Sequence, residues 1–349
     1  MRRPPQRRHN HVVIVIGGGI GGMAAAASLA PHGPVTVMDR GRRLGGRMAS
    51  RTLRTGPWAG HVVDLGAAYL TVRRPEFAQV AEGWQNRGLL RPWTDTLAVA
   101  DADGLTGTTT GPMRFVAPDG LRSLVEDLAL HLPPNVNVRT AIAAVGVMSR
   151  EHGWRVLHGR VDSSHATVTQ ARTVAMCLPG PQAARLLPDG PTGLFSAAMS
   201  QRYDPVLSLV AQWPTRVWDA FAATFVNGDQ VLASIADDGD RRGDGAAVLV
   251  AHSTPELAAA HLAEPDRALE PMVASVRRIL RIAEEPIVAQ VKRWSYARAP
   301  QGPAGDADAR FTLDPRGIGL AGDAFSANPR IEAAWASGRE LGMALAMHL

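Results

Sequence analysis

One cysteine and one lysine occur in the 349 residues, and each shortage excludes something. Cys177 has no partner for an internal disulfide, so the fold needs no oxidising compartment and a reducing cytoplasm suits it. Lys292 is the only lysine, which makes nearly all of the 37 basic residues arginine. They are scattered rather than gathered into a stripe or a basic helix, so the formal net charge of +5 leaves no footprint for nucleic acid. The histidines are dispersed too, with no His-x-x-x-His or Cys-x-x-Cys pattern, and no metal site is expected. No stretch approaches the ~18 to 20 uninterrupted apolar residues of a membrane helix, so no membrane association is expected. Arg2, Arg3, Arg7 and Arg8 ahead of the small apolar residues Val12 to Ala30 imitate a secretory leader, but three spaced glycines interrupt that run. Residues 1–10 are read as a solvated tail.

What is abundant is apolar residue, at 46%, enough for a large core and about two domains. The chain opens with an apolar strand at Val12 to Ile16, an alanine-rich helix from Gly21 to Ala30 and a second strand at Val35 to Met38, the start of a parallel α/β sheet. Gly104 to Pro112, rich in Gly and Thr, reads as a loop or hairpin tip, and Leu121 to His131 as a helix with Asp119 as its cap. Strand-like runs follow at Val136 to Val147, Trp154 to Leu157 and Thr173 to Leu178. The middle changes character: Val206 to Trp213, Gln230 to Ile235 and Ala247 to Ala251 read as antiparallel strands, with Asp237-Asp238-Gly239-Asp240 as a turn. Thr254 caps a helix beginning at Pro255, Asp266 to Ile282 forms a long amphipathic helix, Ala299 to Gly305 is a Gly/Pro-rich loop, and the strand Ile318 to Ala321 runs into a C-terminal helix. This order implies a substrate domain inserted between parts of a discontinuous cofactor domain.

Gly17-Gly18-Gly19-Ile20-Gly21-Gly22 lies between the first strand and first helix and satisfies G-x-G-x-x-G with Gly17, Gly19 and Gly22. Gly17 permits the tight turn, Gly19 lets backbone approach a pyrophosphate, and Gly22 allows close helix–strand packing. The free N–H groups at the start of the helix then face the phosphates. Asp39 ends the second strand about 20 residues on, where a carboxylate accepts hydrogen bonds from ribose hydroxyls. The loop alone does not choose between FAD and NAD.

The next residues, Asp39-Arg40-Gly41-Arg42-Arg43-Leu44-Gly45-Gly46-Arg47-Met48-Ala49-Ser50, resemble the flavin-containing amine oxidase superfamily, and Gly-Gly-Arg-Met is similar to its renalase-type branch. Asp64 to Thr71, Arg293 to Ala297, Leu320 to Asp323 and Arg330 to Gly338 resemble further segments of that family. The resemblance implies an α/β protein: a Rossmann-type FAD-binding domain (residues 11–74, 112–182 and 288–349) with an inserted α+β substrate domain (75–111 and 183–287) on an antiparallel sheet. It implies noncovalent FAD held by Gly17, Gly19, Ile20, Gly22, Asp39, Arg40, Gly46, Arg47, Met48, Ala67, Ile142, Gly322, Asp323, Arg330, Ile331 and Glu332. In this reading Arg47 neutralises a phosphate, Asp323 bonds the ribityl chain or a nearby N–H, Ile142 presents backbone to adenine, and the C-terminal helix points its N-terminus at the flavin pyrimidine.

The implied chemistry is hydride transfer from a small-molecule donor to flavin N5, with O2 as acceptor and hydrogen peroxide as product. The protein positions the donor and needs no dedicated acid or base. In the renalase-type reading the donor is an isomeric reduced NAD(P), a dihydropyridine. An amine, an apolar metabolite undergoing desaturation, or a noncatalytic flavoprotein are the alternatives. His252, at a strand end, contacts such a substrate or else serves as a packing residue; Trp294 and Tyr296 wall it or else fill the core. Two departures stand out: Ser208 occupies the strand where monoamine oxidase relatives carry lysine, and Ala68 stands where renalase-like proteins often have glutamine.

Overall fold

The computed structural model describes residues 12–187, 192–301 and 310–349. The tail read at 1–10 and most of the Gly/Pro-rich loop at 299–305 lie outside them.

Val13–Ile16 is apolar throughout and buried throughout, as a strand covered on both faces must be. It is flanked in parallel by Val35–Met38 and Thr173–Met176; Val136–Arg139 and Ile318–Ala321 extend the sheet in parallel, and Phe311–Asp314 closes one edge antiparallel. One face packs on the first helix (Ile20–Leu29), the helix Leu121–Leu130 and the C-terminal helix (Ile331–Ala346). The other buries Trp154 and Val156 of a three-stranded antiparallel sheet. First and last helices approach closely: a Cβ on Gly338 would lie 2.0 Å from the Gly21 carbonyl oxygen, and one on Gly342 2.7 Å from that of Ala25.

An eight-stranded sheet contains Val288–Arg298, Asp204–Gln212, Val248–Ser253, Leu232–Asp237, Ala223–Val226, Arg91–Asp101, Gly104–Val116 and Leu70–Thr71, in that spatial order. All pairings are antiparallel except Ala223–Val226 with Arg91–Asp101. Leu207, Leu209 and Ala211 face the amphipathic helix Leu269–Leu280 through Met272, Val276 and Ile279. The alternate residues Val210, Val248 and Val250 pack on Leu53, Val63 and Leu65. Val288–Arg298, grouped above with the cofactor segments, hydrogen-bonds within this sheet.

Several elements differ from the sequence expectation. Gly104 to Pro112 is the outgoing strand of a hairpin, because its β-branched threonines pair across the ladder, Thr110 with Thr96 and Thr109 with Leu97. Val136 to Val147 is two strands, broken where Ala141 adopts φ 55°. The long helix starts at Leu269 after a 3₁₀ turn at Pro265–Ala268, since Pro271 is tolerated only in a first turn. Asp237 to Asp240 is no simple turn: Asp237 caps a short helix, Asp238–Arg242, by accepting from the Asp240 N–H at 3.0 Å, and Gly243 ends it in the left-handed conformation. Asp119 does not cap the helix at Leu121; Asp64 and Ser50 do so from a distance, accepting from the N–H groups of Leu121 (2.9 Å) and Arg122 (3.1 Å). Thr254 caps the helix at Pro255 as expected. Among the described residues no helix is long and apolar enough to cross a membrane.

The close helix–helix approach gives a direct test. Gly338→Ala should force the two helices apart and destabilise the protein by about 1–3 kcal/mol, the usual cost of overpacking, read as a lowered thermal midpoint. An unchanged midpoint would mean the contact has slack.

Candidate functional site

The six glycine-rich residues at 17–22 leave the buried first strand and enter the first helix. Gly17, at φ 114°, lies against Cys177, and a Cβ on Gly22 would sit 1.8 Å from the Gly17 carbonyl oxygen; these two are required by packing. Gly19 is different: a Cβ there meets nothing within 4 Å among the described residues, and the same holds at Gly322. At Gly46 the nearest atom is the Gly19 Cα, 3.6 Å away. Three segments far apart in sequence thus border open space with bare backbone, a cradle suited to an extended dinucleotide.

Asp39 holds the loop in shape, accepting from the N–H groups of Gly18 (2.5 Å) and Gly41 (2.6 Å). Ile142 begins its strand beside it and donates its N–H to the Asp39 carbonyl at 2.9 Å. Arg40 is exposed, whereas Ile20, the first residue of the first helix, and Met48 are buried in one core cluster. Ala67 donates to the Arg47 carbonyl at 2.9 Å, which docks the 64–68 segment beside the Gly-Gly-Arg turn. The Arg47 guanidinium forks onto Asp323 (2.8 and 2.6 Å), donates to the Ala297 carbonyl (3.3 Å) and lies over the Tyr203 ring. Burial opposes its charge, but Asp323 and Tyr203 outweigh that and raise its pKa. Arg47 and Asp323, assigned above to phosphate and ribityl, are partners of each other. Glu332, at the start of the C-terminal helix, accepts from the N–H groups of Arg73 (2.9 Å) and Arg74 (3.2 Å), so its carboxylate secures the 72–75 connection. Arg330 is the N-cap residue of that helix and Ile331 its first helical residue; no side chain among the described residues caps the end.

Above the 64–68 segment stands the eight-stranded sheet. The Leu65 carbonyl accepts from Ser208 Oγ (2.6 Å) and Trp294 Nε1 (2.9 Å). His252 is opposite Ser208 in the ladder, and its ring lies against the same carbonyl. Burial, with Arg298 and Arg241 adding repulsion, pushes the imidazole pKa down to about 4. Its Nε2 is shielded from solvent and has no partner among the described residues. Lys292, the lone lysine, pairs with Ser208 from the other side and is exposed. His252 and Trp294 are therefore brought together, whereas Tyr296 turns to another cluster, stacked edge-on against Tyr203 and accepting from Arg185 at 3.1 Å. Sequence reasoning missed Tyr203, whose hydroxyl burial pushes up, and gave no role to His61, Arg241 or Arg242.

A model of the flavin-containing amine oxidoreductases matches residues 87–341, and one of NAD(P)-binding Rossmann-like domains matches residues 15–83. The chain belongs to the flavin-containing amine oxidoreductase family. It is accordingly an FAD-dependent oxidoreductase, and the open glycine cradle fits that cofactor. The fold is shared with an Exiguobacterium sp. 255-15 protein provisionally assigned as a protoporphyrinogen oxidase, at 15% identity and TM-score 0.76, covering 97% of this chain and 99% of that one. It is shared also with putrescine oxidase carrying putrescine, at 16% identity and TM-score 0.73, covering 95% and 98%.

Because Gly19 faces open space, Gly19→Glu should fold normally, with unchanged circular dichroism, yet purify without stoichiometric FAD, since a carboxylate would fill the cradle and repel the pyrophosphate. A yellow variant with one flavin per chain would contradict this placement.

Proposed function

We propose that this family member binds FAD without a covalent link and oxidises a dihydropyridine, an isomeric form of reduced NAD(P), returning the aromatic nicotinamide dinucleotide. When bound, FAD supplies the hydride acceptor at N5 and is returned to the oxidised state by O2 with release of hydrogen peroxide. The N–H groups at the start of the first helix would hold the pyrophosphate, Asp39 the ribose and Ile142 backbone the adenine, and the start of the C-terminal helix at Arg330 to Glu332 would stabilise charge on the flavin pyrimidine. Arg47 serves by holding Asp323 in place. Cys177 lies against Gly17 at the phosphate end, and burial pushes its thiol up to about 12, which supports a noncovalent cofactor. The reducing compartment that one cysteine suits makes the cytoplasm part of this reading.

One observation carries the choice of donor. Ser208, Ser234, Phe225, His252, Lys292 and Trp294 share ladder positions on the sheet face that meets Leu65, and none is acidic. An amine arrives as an ammonium and is stabilised by a carboxylate; the neutral ring of a dihydropyridine needs none. His252 stays neutral well below physiological pH, so it suits hydrogen bonding and packing rather than proton transfer.

An anaerobic reduction screen of the holoprotein tests the reading. Borohydride-generated dihydronicotinamide isomers should bleach the visible flavin band rapidly, with peroxide formed on admitting air. Bleaching by amines alone would replace this donor with an amine, and no bleaching by any donor would leave a noncatalytic flavoprotein. His252→Ala should retain flavin and raise KM about 3- to 10-fold with kcat little changed. Unaltered reduction kinetics in that variant would reduce His252 to packing.

A further inference from the structure

Six ionisable side chains meet behind the segment that carries Leu65. His61 and Asp64 come from one hairpin, Asp238, Arg241 and Arg242 from the short helix at Asp238–Arg242, and Asp244 from the turn after it. The side chains of His61, Asp64, Asp238, Arg241 and Arg242 are almost wholly removed from water, while Asp244 is half exposed. Asp238 bonds Arg241 on one side and His61 Nε2, at 2.7 Å, on the other. Asp244 meets His61 Nδ1 at 2.8 Å. Arg242 bonds Asp64 and the carbonyls of Val62 and Ala117. Arg122, at the start of the next helix, adds a positive charge near Asp64.

Two arguments fix the state of the imidazole. Both ring nitrogens face carboxylates, which only accept; a neutral ring donates once and would turn its other lone pair against a carboxylate oxygen. The imidazole also sits directly between the Asp238 and Asp244 carboxylates, and no guanidinium is in direct contact with it among the described residues, so its immediate surroundings favour the cation. The network is also aimed. Arg241 donates to the carbonyls of Asp64 (3.4 Å) and Ala68 (3.2 Å), the two ends of the stretch whose middle is fixed through Leu65.

We propose that protonated His61 is a positioning residue for the flavin-bordering backbone: by pinning Asp238 it aligns Arg241, which clamps residues 64–68 at both ends. The inference rests on the flavin bordering that stretch. Burial alone would lower the His61 pKa, but Asp238 and Asp244 outweigh it and hold it above 6.5. A group raised in the folded state gives its stabilisation in full below the unfolded value, so the brace is complete below pH 6.5 and is lost as pH climbs through the raised value. Asp238, for its part, is drawn well below the usual carboxylate range by Arg241, Arg242 and His61 in spite of its burial, and stays ionised throughout.

The test is FAD affinity of the holoenzyme, followed by flavin fluorescence from about pH 6 to about pH 10, with circular dichroism to confirm that the chain stays folded. Wild type should lose about tenfold in affinity across one alkaline step. His61→Gln should bind weakly at every pH, with the step gone. Asp244→Asn, altering the half-exposed partner, should keep its low-pH affinity and move the step to lower pH, because the ring then faces one carboxylate fewer. An identical step in His61→Gln, an unmoved one in Asp244→Asn, or flat wild-type affinity would overturn the role of His61 while leaving the flavin site intact. A wild-type chain that takes up no FAD at any pH would overturn both.

Discussion

The backbone contact between Gly21 and Gly338 joins the two ends of the polypeptide, and the site follows from it. The first helix carries the glycine loop at its start, and the C-terminal helix carries Arg330 to Glu332 at its own. Glycine at the crossing lets the two helices touch backbone to backbone. The Arg47–Asp323 pair then ties the turn at 322–323 to the Gly-Gly-Arg turn, whose Gly46 lies 3.6 Å from Gly19.

The chain's reliance on arginine has a structural counterpart. Arg47, Arg241 and Arg242 each join a carboxylate to one or more backbone carbonyls. A planar fork with five donors can satisfy several acceptors at once inside the protein, where a lysine ammonium offers only a point charge. The irregular backbone that follows the strand Val62–Asp64, residues 65–68, is held this way at both ends.

Local features were legible in the sequence. The glycine loop, the first two strands, the Thr254 cap and the Ile318–Ala321 strand each depend on residues within a few positions of one another, and periodicity or capping chemistry exposes them. What escaped was assembled over distance. Asp64 caps a helix 57 positions later, and His61 meets Asp238 across 177; in sequence these look like ordinary surface charges. Asp237, three residues ahead of Asp240 and followed by Gly243, did mark a short capped helix, but a cluster of aspartates and glycine also describes a turn. Arg47 and Asp323 were singled out as separate contacts, and nothing in either motif states that they bind each other.

Lys292 lies on the edge strand of the eight-stranded sheet, exposed and directly across from Ser208. As the one side-chain amine in the chain, it competes for an acylating reagent only with the α-amino terminus: a fluorophore or crosslinker attached there would sit beside the strand that touches Leu65.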